Sequence, residues 1–506
     1  MQLELERRAI QSFDRLYSAS TIKDETADII VPDSYPDILR IIDARGLICL
    51  KEKRCTDSGV ELIGAVHVSV LYAPDSAEEH AAPRRLSVVV PYQHLFERKG
   101  LPTEARVLSD VILTDANART INPRKLQVST TFSLSVKCYA HAEHYVCSGV
   151  KASADTGLET LTKTVEVHAP VSVSDKVFAL TDQVELPSGR PMIDEILHAD
   201  VRLVARETKN VGTKAVLKAA AILNLLYTSE MGEIASWEQE VPFSQIIELG
   251  EPTDDELSLY TSLTLGGIDL GLEAPARVVD VELTVGTQII GVAATKVNLL
   301  ADAYSTKYHV LPEHREIGLL SISDGFSVRV PVREAHQLNP APHSILDCGV
   351  SLATVESGAV LTTRAHVKLL YIADDGEYAS ASFGIPVEAE NDAGDTQNQD
   401  VSAAISGDVF SGLSSDGLEL RFTVLFEGYK ADTRYLTVID DVKADWEDPL
   451  EHNGASVTLR RVRDGERLWD IAKGYGTSIG DIAAANALTD GADLTAGTML
   501  LIPRSR

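Results

Sequence analysis

Ser58-Gly-Val-Glu-Leu-Ile-Gly-Ala-Val-His-Val-Ser-Val-Leu-Tyr72 returns twice along the chain, as Thr213-Lys-Ala-Val-Leu-Lys-Ala-Ala-Ala-Ile-Leu-Asn-Leu-Leu-Tyr227 and as Ser357-Gly-Ala-Val-Leu-Thr-Thr-Arg-Ala-His-Val-Lys-Leu-Leu-Tyr371. The tyrosines lie 155 and 144 residues apart, and a second strand-like run follows each, ending in Val90-Pro91, Val241-Pro242 or Ile385-Pro386. Recurrence of this kind makes three copies of one module the economical reading. Counting back from each tyrosine by twos meets Val70, Val68 and Val66, then Leu225, Leu223 and Ala221, then Leu369, Val367 and Ala365, all apolar. The opposite phase is more polar, with His67 and Ser69, Lys218 and Asn224, and Arg364, His366 and Lys368. A period of two predicts antiparallel strands with one face on a core and the other toward water. Asp57-Ser58-Gly59, Met231-Gly232-Glu233 and Asp374-Asp375-Gly376 supply hairpin turns beside them.

Further β-patterned runs cover Lys125 to Tyr139, Val278 to Val285, Lys296 to Tyr304 and Leu418 to Glu427. Upstream of each long strand sits a proline-doubled element, starting at Val31-Pro32, Leu186-Pro187 and Asn339-Pro340. Proline's locked φ predicts a loop there, ending in a short helical turn.

The last fifty residues, Val457 to Arg506, break from this pattern. Leu468, Ile471, Ala472 and Tyr475 fall at i, i+3, i+4 and i+7, the spacing of one helix face, and Gly474 and Gly476 loosen its end. Ser478 followed by Asp481 resembles a capping box, and Ile479, Ile482 and Ala483 repeat the helical period. Val462 on a first strand and Leu500 and Ile502 on a last one need those helices to cover them, giving the order β-α-α-β.

Val462-x-x-Gly465-x-x-Leu468-Trp469-x-Ile471-Ala472, then Ile482, Asn486-x-Leu488, Gly497 and Leu501-Ile502-Pro503 resemble a LysM domain over the whole tail. The resemblance implies a shallow groove for N-acetylglucosamine-containing glycans such as peptidoglycan or chitooligosaccharides. Its two loops are here Asp464, Gly465, Glu466, Arg467 and Leu468 on one side and Asn486, Ala487, Leu488, Thr489, Asp490 and Leu494 on the other. Many glycan-binding members carry a small hydroxyl residue next to an Asp where this chain has Glu466-Arg467, a departure that points toward a protein ligand. Leu468, Trp469, Ile471 and Ile502 are expected in the core.

Three such modules, the Val31-Pro-Asp-Ser-Tyr-Pro-Asp-Ile38 element and a C-terminal LysM resemble SipL-type spore coat morphogenesis proteins, with the repeat resembling the SPOCS domain. That resemblance implies a cytoplasmic protein of the mother cell at the outer forespore surface, in the spore coat. It also implies that the LysM domain binds a SpoIVA-like coat basement ATPase. The expected fold is mainly β: three repeated antiparallel β domains, sandwich or barrel-like, and a small β-α-α-β LysM domain. The expected divisions are a helical leader at 1–26, repeats at 27–165, 166–310 and 311–443, a mobile polar linker at 444–456 and LysM at 457–506.

The chain has 506 residues, 46 basic against 75 acidic, for a net charge of −29. The tail has seven basic and six acidic residues, so the body carries −30. An acidic body argues against nucleic acid or an anionic bilayer as partner. The first twenty residues lack a basic region followed by an apolar run, so no secretory signal is expected, and no apolar stretch is long enough to insert in a membrane. Five cysteines on so long a chain fit a reducing cytoplasm.

Cys138, His141, His144 and Cys147 offer ligand types that zinc prefers. Their equal spacing of three suits neither a strand nor one helix face, so no metal site is expected. A phosphate loop and a paired-His zincin motif are missing from the sequence, so neither catalytic residues nor a cofactor is expected and the chain reads as a non-enzyme. The acidic runs Asp254 to Glu256 and Asn391 to Asp400 are expected as solvated loops. Two functions follow: a structural adaptor in spore coat assembly whose LysM groove takes a protein, or a peptidoglycan binder of the cell wall or spore cortex.

Overall fold

The computed structural model describes residues 3–75, 82–250, 256–391, 398–414, 417–450, 456–489 and 494–503. Three antiparallel β-sandwiches follow one another, wired alike. In the first, Glu4–Ile30, Lys125–Lys151 and Arg106–Asn122 form one sheet in that order, and Ile38–Thr56, Gly59–Pro74 and Arg84–Glu97 form the other. The second pairs Leu158–Glu185, Val278–Ser305 and Leu257–Gly271 against Ile193–Val211, Lys214–Ser229 and Ile234–Glu248. In the third, Tyr308–His336 joins Gly417–Pro449, completed by the short Gln399–Ile405 and Phe410–Ser414, against Pro342–Leu352, Val360–Ala373 and Tyr378–Glu390. The repeated sequence is the middle strand of the second sheet in every copy. Its in-phase residues are core: Tyr72, Tyr227 and Tyr371 are each 0% exposed. The Tyr72 hydroxyl donates to the Pro36 carbonyl at 3.2 Å and the Tyr371 hydroxyl to that of Pro340 at 3.1 Å, so the tyrosine pins the proline-doubled loop.

The expected helical leader is a strand. Glu4–Ile30 pairs along its length with Lys125–Lys151, and this ladder outweighs the helix propensity of its Glu-, Leu- and Arg-rich start. Each repeat therefore opens on a long strand that pairs with its own last strand. The repeats run over 4–151, 158–305 and 308–449, whereas boundaries at 166 and 311 would cut through Leu158–Glu185 and Tyr308–His336. The runs at 278–285 and 296–304 are parts of one strand. Residues 444–449 of the expected linker are the end of Gly417–Pro449, paired with Tyr308–Val310, while 451–455 lie outside the described residues. The proline-doubled elements lead directly into strands, without a helical turn. Asp400 is no solvated loop residue: it meets Lys137 at 3.0 Å and Arg15 at 3.4 Å, tying the third repeat to the first. Residues 254, 255 and 392–397 of those acidic runs lie outside the described residues.

The polar phase of the repeated strand does not all face water. Lys218 and Arg364 do, but toward the tyrosine end this face turns to a centre where the three repeats meet. The neighbouring strand slips register at Ile41/Asp43, Ile196/His198 and Ile345/Asp347, the same place in each copy. These bulges turn Ile42, Leu197 and Leu346 into one cluster with Leu71, Leu226 and Leu370. Next to it the equivalent positions differ: Asp43, His198 and Asp347 are paired opposite the leucines, and Ser69, Asn224 and Lys368 lie two residues before them. Arg45 donates to Asp43 at 2.7 Å and to Asp347, and Asn224 to Asp347 at 3.2 Å, so charges from different repeats neutralise one another. Beyond the sandwiches the long strands converge again, Ile10, Val146, Val167, Leu299, Ile317 and Val438 sharing a second cluster.

Candidate functional site

The chain ends in Val457–Arg461, two helices, Leu468–Tyr475 and Ile479–Asn486, and Met499–Pro503, which pairs antiparallel with the first strand. Ser478 caps the second helix, accepting from the Asp481 amide at 3.0 Å. Val462, Ile471, Ile482, Leu500 and Ile502 fill the small core.

Several residues expected in the groove serve this fold. Glu466 accepts from Arg460 at 2.6 Å and from the Arg463 amide at 2.9 Å, closing its own loop. Arg467 forms a fork with Asp470, both bonds 2.9 Å, and these bonds hold the Asp470 carboxyl below the usual carboxylate range. Asn486 exchanges hydrogen bonds with the Leu501 backbone, at 2.6 and 2.7 Å, and so anchors the last strand. Leu468, Leu488 and Leu494 pack partly buried on the core. Gly465, at φ 73°, and Ala487, at φ 52°, make the two left-handed turns that shape the loops. Asp464, Arg467 and Thr489 are exposed between them, and Asp490 lies outside the described residues.

Sequence reasoning missed two features. The module is docked on the body: the Trp469 indole donates to Asp302 at 2.8 Å, Lys473 reaches both Asp302 oxygens at 2.8 Å, and the Tyr304 hydroxyl donates to the Thr477 carbonyl at 2.8 Å. Tyr304 stands edge-on to Trp469, ring centroids 4.8 Å apart, and Leu161 packs beside them. Burial opposes ionisation of Asp302, but Lys473 and Trp469 outweigh it and hold its carboxyl below the usual range. The strand that carries Asp302 shows no mark of this role in its sequence. The second feature was readable in the strands' alternation: Val457, Leu459, Met499 and Leu501 lie on one face of the pair, 52, 64, 55 and 40% exposed.

Cys138 and Cys147 are buried on the strand paired with Glu4–Ile30, His141 stands edge-on to Phe13, and His144 lies 3.3 Å from Asp14. Among the described residues no three His, Cys, Asp or Glu converge to hold a metal ion, and no helix is long and apolar enough to cross a membrane.

Repeated sandwiches with a small module seated on one of them define a modular, mainly β protein. Residues 192–268, covering the hairpin sheet of the second repeat and most of the following strand, match the family model described as SipL, SPOCS domain, and residues 461–503 match that of the LysM domain. In this pairing the chain matches SipL-type proteins. No curated protein and no solved structure matches it. LysM domains generally bind peptidoglycan or chitooligosaccharides, and the two domains together fit a sporulation protein with a peptidoglycan-binding module.

Proposed function

We propose that this chain is a non-enzymatic structural adaptor of the spore coat, working in the mother cell at the outer forespore surface, with its LysM module binding a SpoIVA-like coat basement protein. The observation that carries this reading is the outer sheet face of the module, where Val457, Leu459, Met499 and Leu501 offer a contiguous alkyl surface to solvent. Exposed patches of this kind mark protein-binding surfaces, whereas a glycan asks for hydrogen-bonding groups and aromatic platforms. The ion pairs Glu466–Arg460 and Arg467–Asp470 add to it, because they engage within the module the charges that would meet a sugar.

The test is retention of a purified SpoIVA-like ATPase by the full chain. Leu459→Asp and Met499→Asp, both on the exposed face, are expected to lower retention at least tenfold with an unchanged circular dichroism spectrum. Tight binding to purified peptidoglycan together with no retention of the ATPase would overturn the reading. The glycan reading draws on the LysM match and on exposed Asp464, Arg467 and Thr489 at the groove, and it predicts that their substitution, rather than that of Leu459, abolishes binding.

A further inference from the structure

The long strand Glu4–Ile30 is the outer strand of its sheet, paired on one side with Lys125–Lys151, and among the described residues no strand pairs its other side. Its first half is covered by the other repeats: Ile10 shares a cluster with Val167, Leu319 and Val438, and Arg15 donates to the Ala431 carbonyl at 3.2 Å. Beyond Tyr17 the edge is open. The Val31 amide donates to the Arg124 carbonyl at 2.9 Å, and no register shift falls between Tyr17 and Ile30. Backbone groups alternate along an antiparallel strand, so the odd positions bond inward and the even positions of 18–30 turn amide and carbonyl outward. Among the described residues these outward groups have no backbone partner; the Thr21 hydroxyl leans on the Ile22 carbonyl at 3.4 Å.

An open edge is a template for another strand, and proteins blunt it with proline or charge. Elsewhere this chain does so. The outer strand after each repeated one carries an exposed proline, Pro91, Pro242 or Pro386. The opening strand of the third repeat has Pro331 exposed between Arg329 and Arg333. In the second repeat Asp175 meets Lys53 of the first at 3.4 Å, and Lys176 reaches the Ile246 carbonyl at 3.0 Å, so the start of that edge is occupied. Glu4–Ile30 contains no proline, and residues 16–22, Leu-Tyr-Ser-Ala-Ser-Thr-Ile, carry no charge; the charges begin at Lys23. Ile22 and Ile30 stand 71 and 73% exposed.

The segment also fits itself. An antiparallel pair with its two-fold axis at Ile22 sets Ile22 against Ile22, Ser20 against Asp24 and Ser18 against Thr26, so no carboxylate faces another. We propose that a second copy of this chain adds its own residues 18–26 to this edge, joining the two three-stranded sheets into one and making a symmetric dimer. The interface lies in the body, so it stands apart from the assignment of the LysM module.

The experiment is sedimentation equilibrium of the full chain over a concentration series at physiological ionic strength, where repulsion between the acidic copies is screened beyond about 8 Å. A dimer is expected for the wild type. Ser20→Pro removes an outward amide and no ladder bond, and Ile22→Lys sets a charge on the axis; each should weaken the dimer at least tenfold. Amide exchange gives a second readout, with the Ser20 and Asp24 amides slow in the wild-type dimer and fast in Ile22→Lys. A monomeric wild type overturns the proposal. So does a dimer of unchanged strength in either folded variant, or one in which the Ser20 and Asp24 amides exchange freely. If Ser20→Pro does not fold, Ile22→Lys and the amide exchange decide.

Discussion

Replacing Asp302 by alanine should loosen the LysM module from the body without unfolding either. Asp302 accepts from the Trp469 indole and from Lys473, all at 2.8 Å. A hydrogen bond to a charged acceptor contributes about 1.5–3 kcal/mol. The Lys473 side chain is 41% exposed, so solvent screening discounts its ion pair to ~0.5 kcal/mol. Together the loss is about 2–3.5 kcal/mol, or roughly 30- to 350-fold in the docking constant. Tyr304 still meets Trp469 and Thr477, so docking weakens rather than vanishes. Solvent exchange of the Trp469 indole proton, followed by nuclear magnetic resonance on tryptophan-labelled chain, reads this directly, with Trp237 and Trp446 as internal references. Asp302→Asn keeps an acceptor for the indole and should lose less. Because the folded Asp302 carboxyl lies below its unfolded value, its contribution is full above about pH 4 and fades as pH falls through the folded value. Indole exchange unchanged within threefold in a folded Asp302→Ala protein would refute this account of docking.

Leu226→Ala, at the centre where the repeats meet, should cost about 2–5 kcal/mol in denaturant unfolding, because neighbours from two other repeats limit collapse of the hole. Tyr72→Phe should cost ~1 kcal/mol by losing the bond to Pro36, whereas Tyr227→Phe should be neutral or stabilising, since the Tyr227 hydroxyl is buried and unpaired among the described residues. Parallel melts of the two variants distinguish them. Asn486→Ala should free the Leu501 backbone and lower the stability of the LysM module by about 2 kcal/mol, seen as faster amide exchange over 499–503. His198 has a folded value of about 3 against 6.5 ordinarily, so the unfolded chain takes up its proton first on acidification. Stability should therefore fall with pH between those values, with a slope of up to ~1.4 kcal/mol per unit. His198→Gln should flatten that part of the stability curve.

The repeated strand was legible because its in-phase residues meet a core made largely by neighbours a few residues away in sequence or one hairpin apart. The LysM order was legible for the same reason, as its helices carry their own stripe and cap. What local pattern cannot express is pairing across about a hundred residues. Glu4–Ile30 reads as helical until Lys125–Lys151 is placed beside it. Asn224 and Lys368 look like solvent-facing residues until the other repeats cover them. At the candidate groove, spacing located the loops but not the state of their side chains: Asn486, which fits the family pattern, and Glu466, which departs from it, both spend their hydrogen bonds within the module. Asp302 was invisible because nothing in a strand's alternation announces a partner 167 residues away.

The unlike residues at matching positions in the centre make the order of the copies non-interchangeable. A trimer built from the first repeat alone would bring three Asp43–Arg45 pairs together, one from the second three copies of His198, and one from the third three of Asp347 beside three of Lys368. The arrangement present is a mixed one, in which a single guanidinium is shared between carboxylates of two copies and an amide comes from the remaining copy. Excising the first copy would therefore do more than shorten the body; it would leave the buried Asp347 without its guanidinium. Whatever symmetry an ancestral assembly possessed, this chain has committed each copy to its own place.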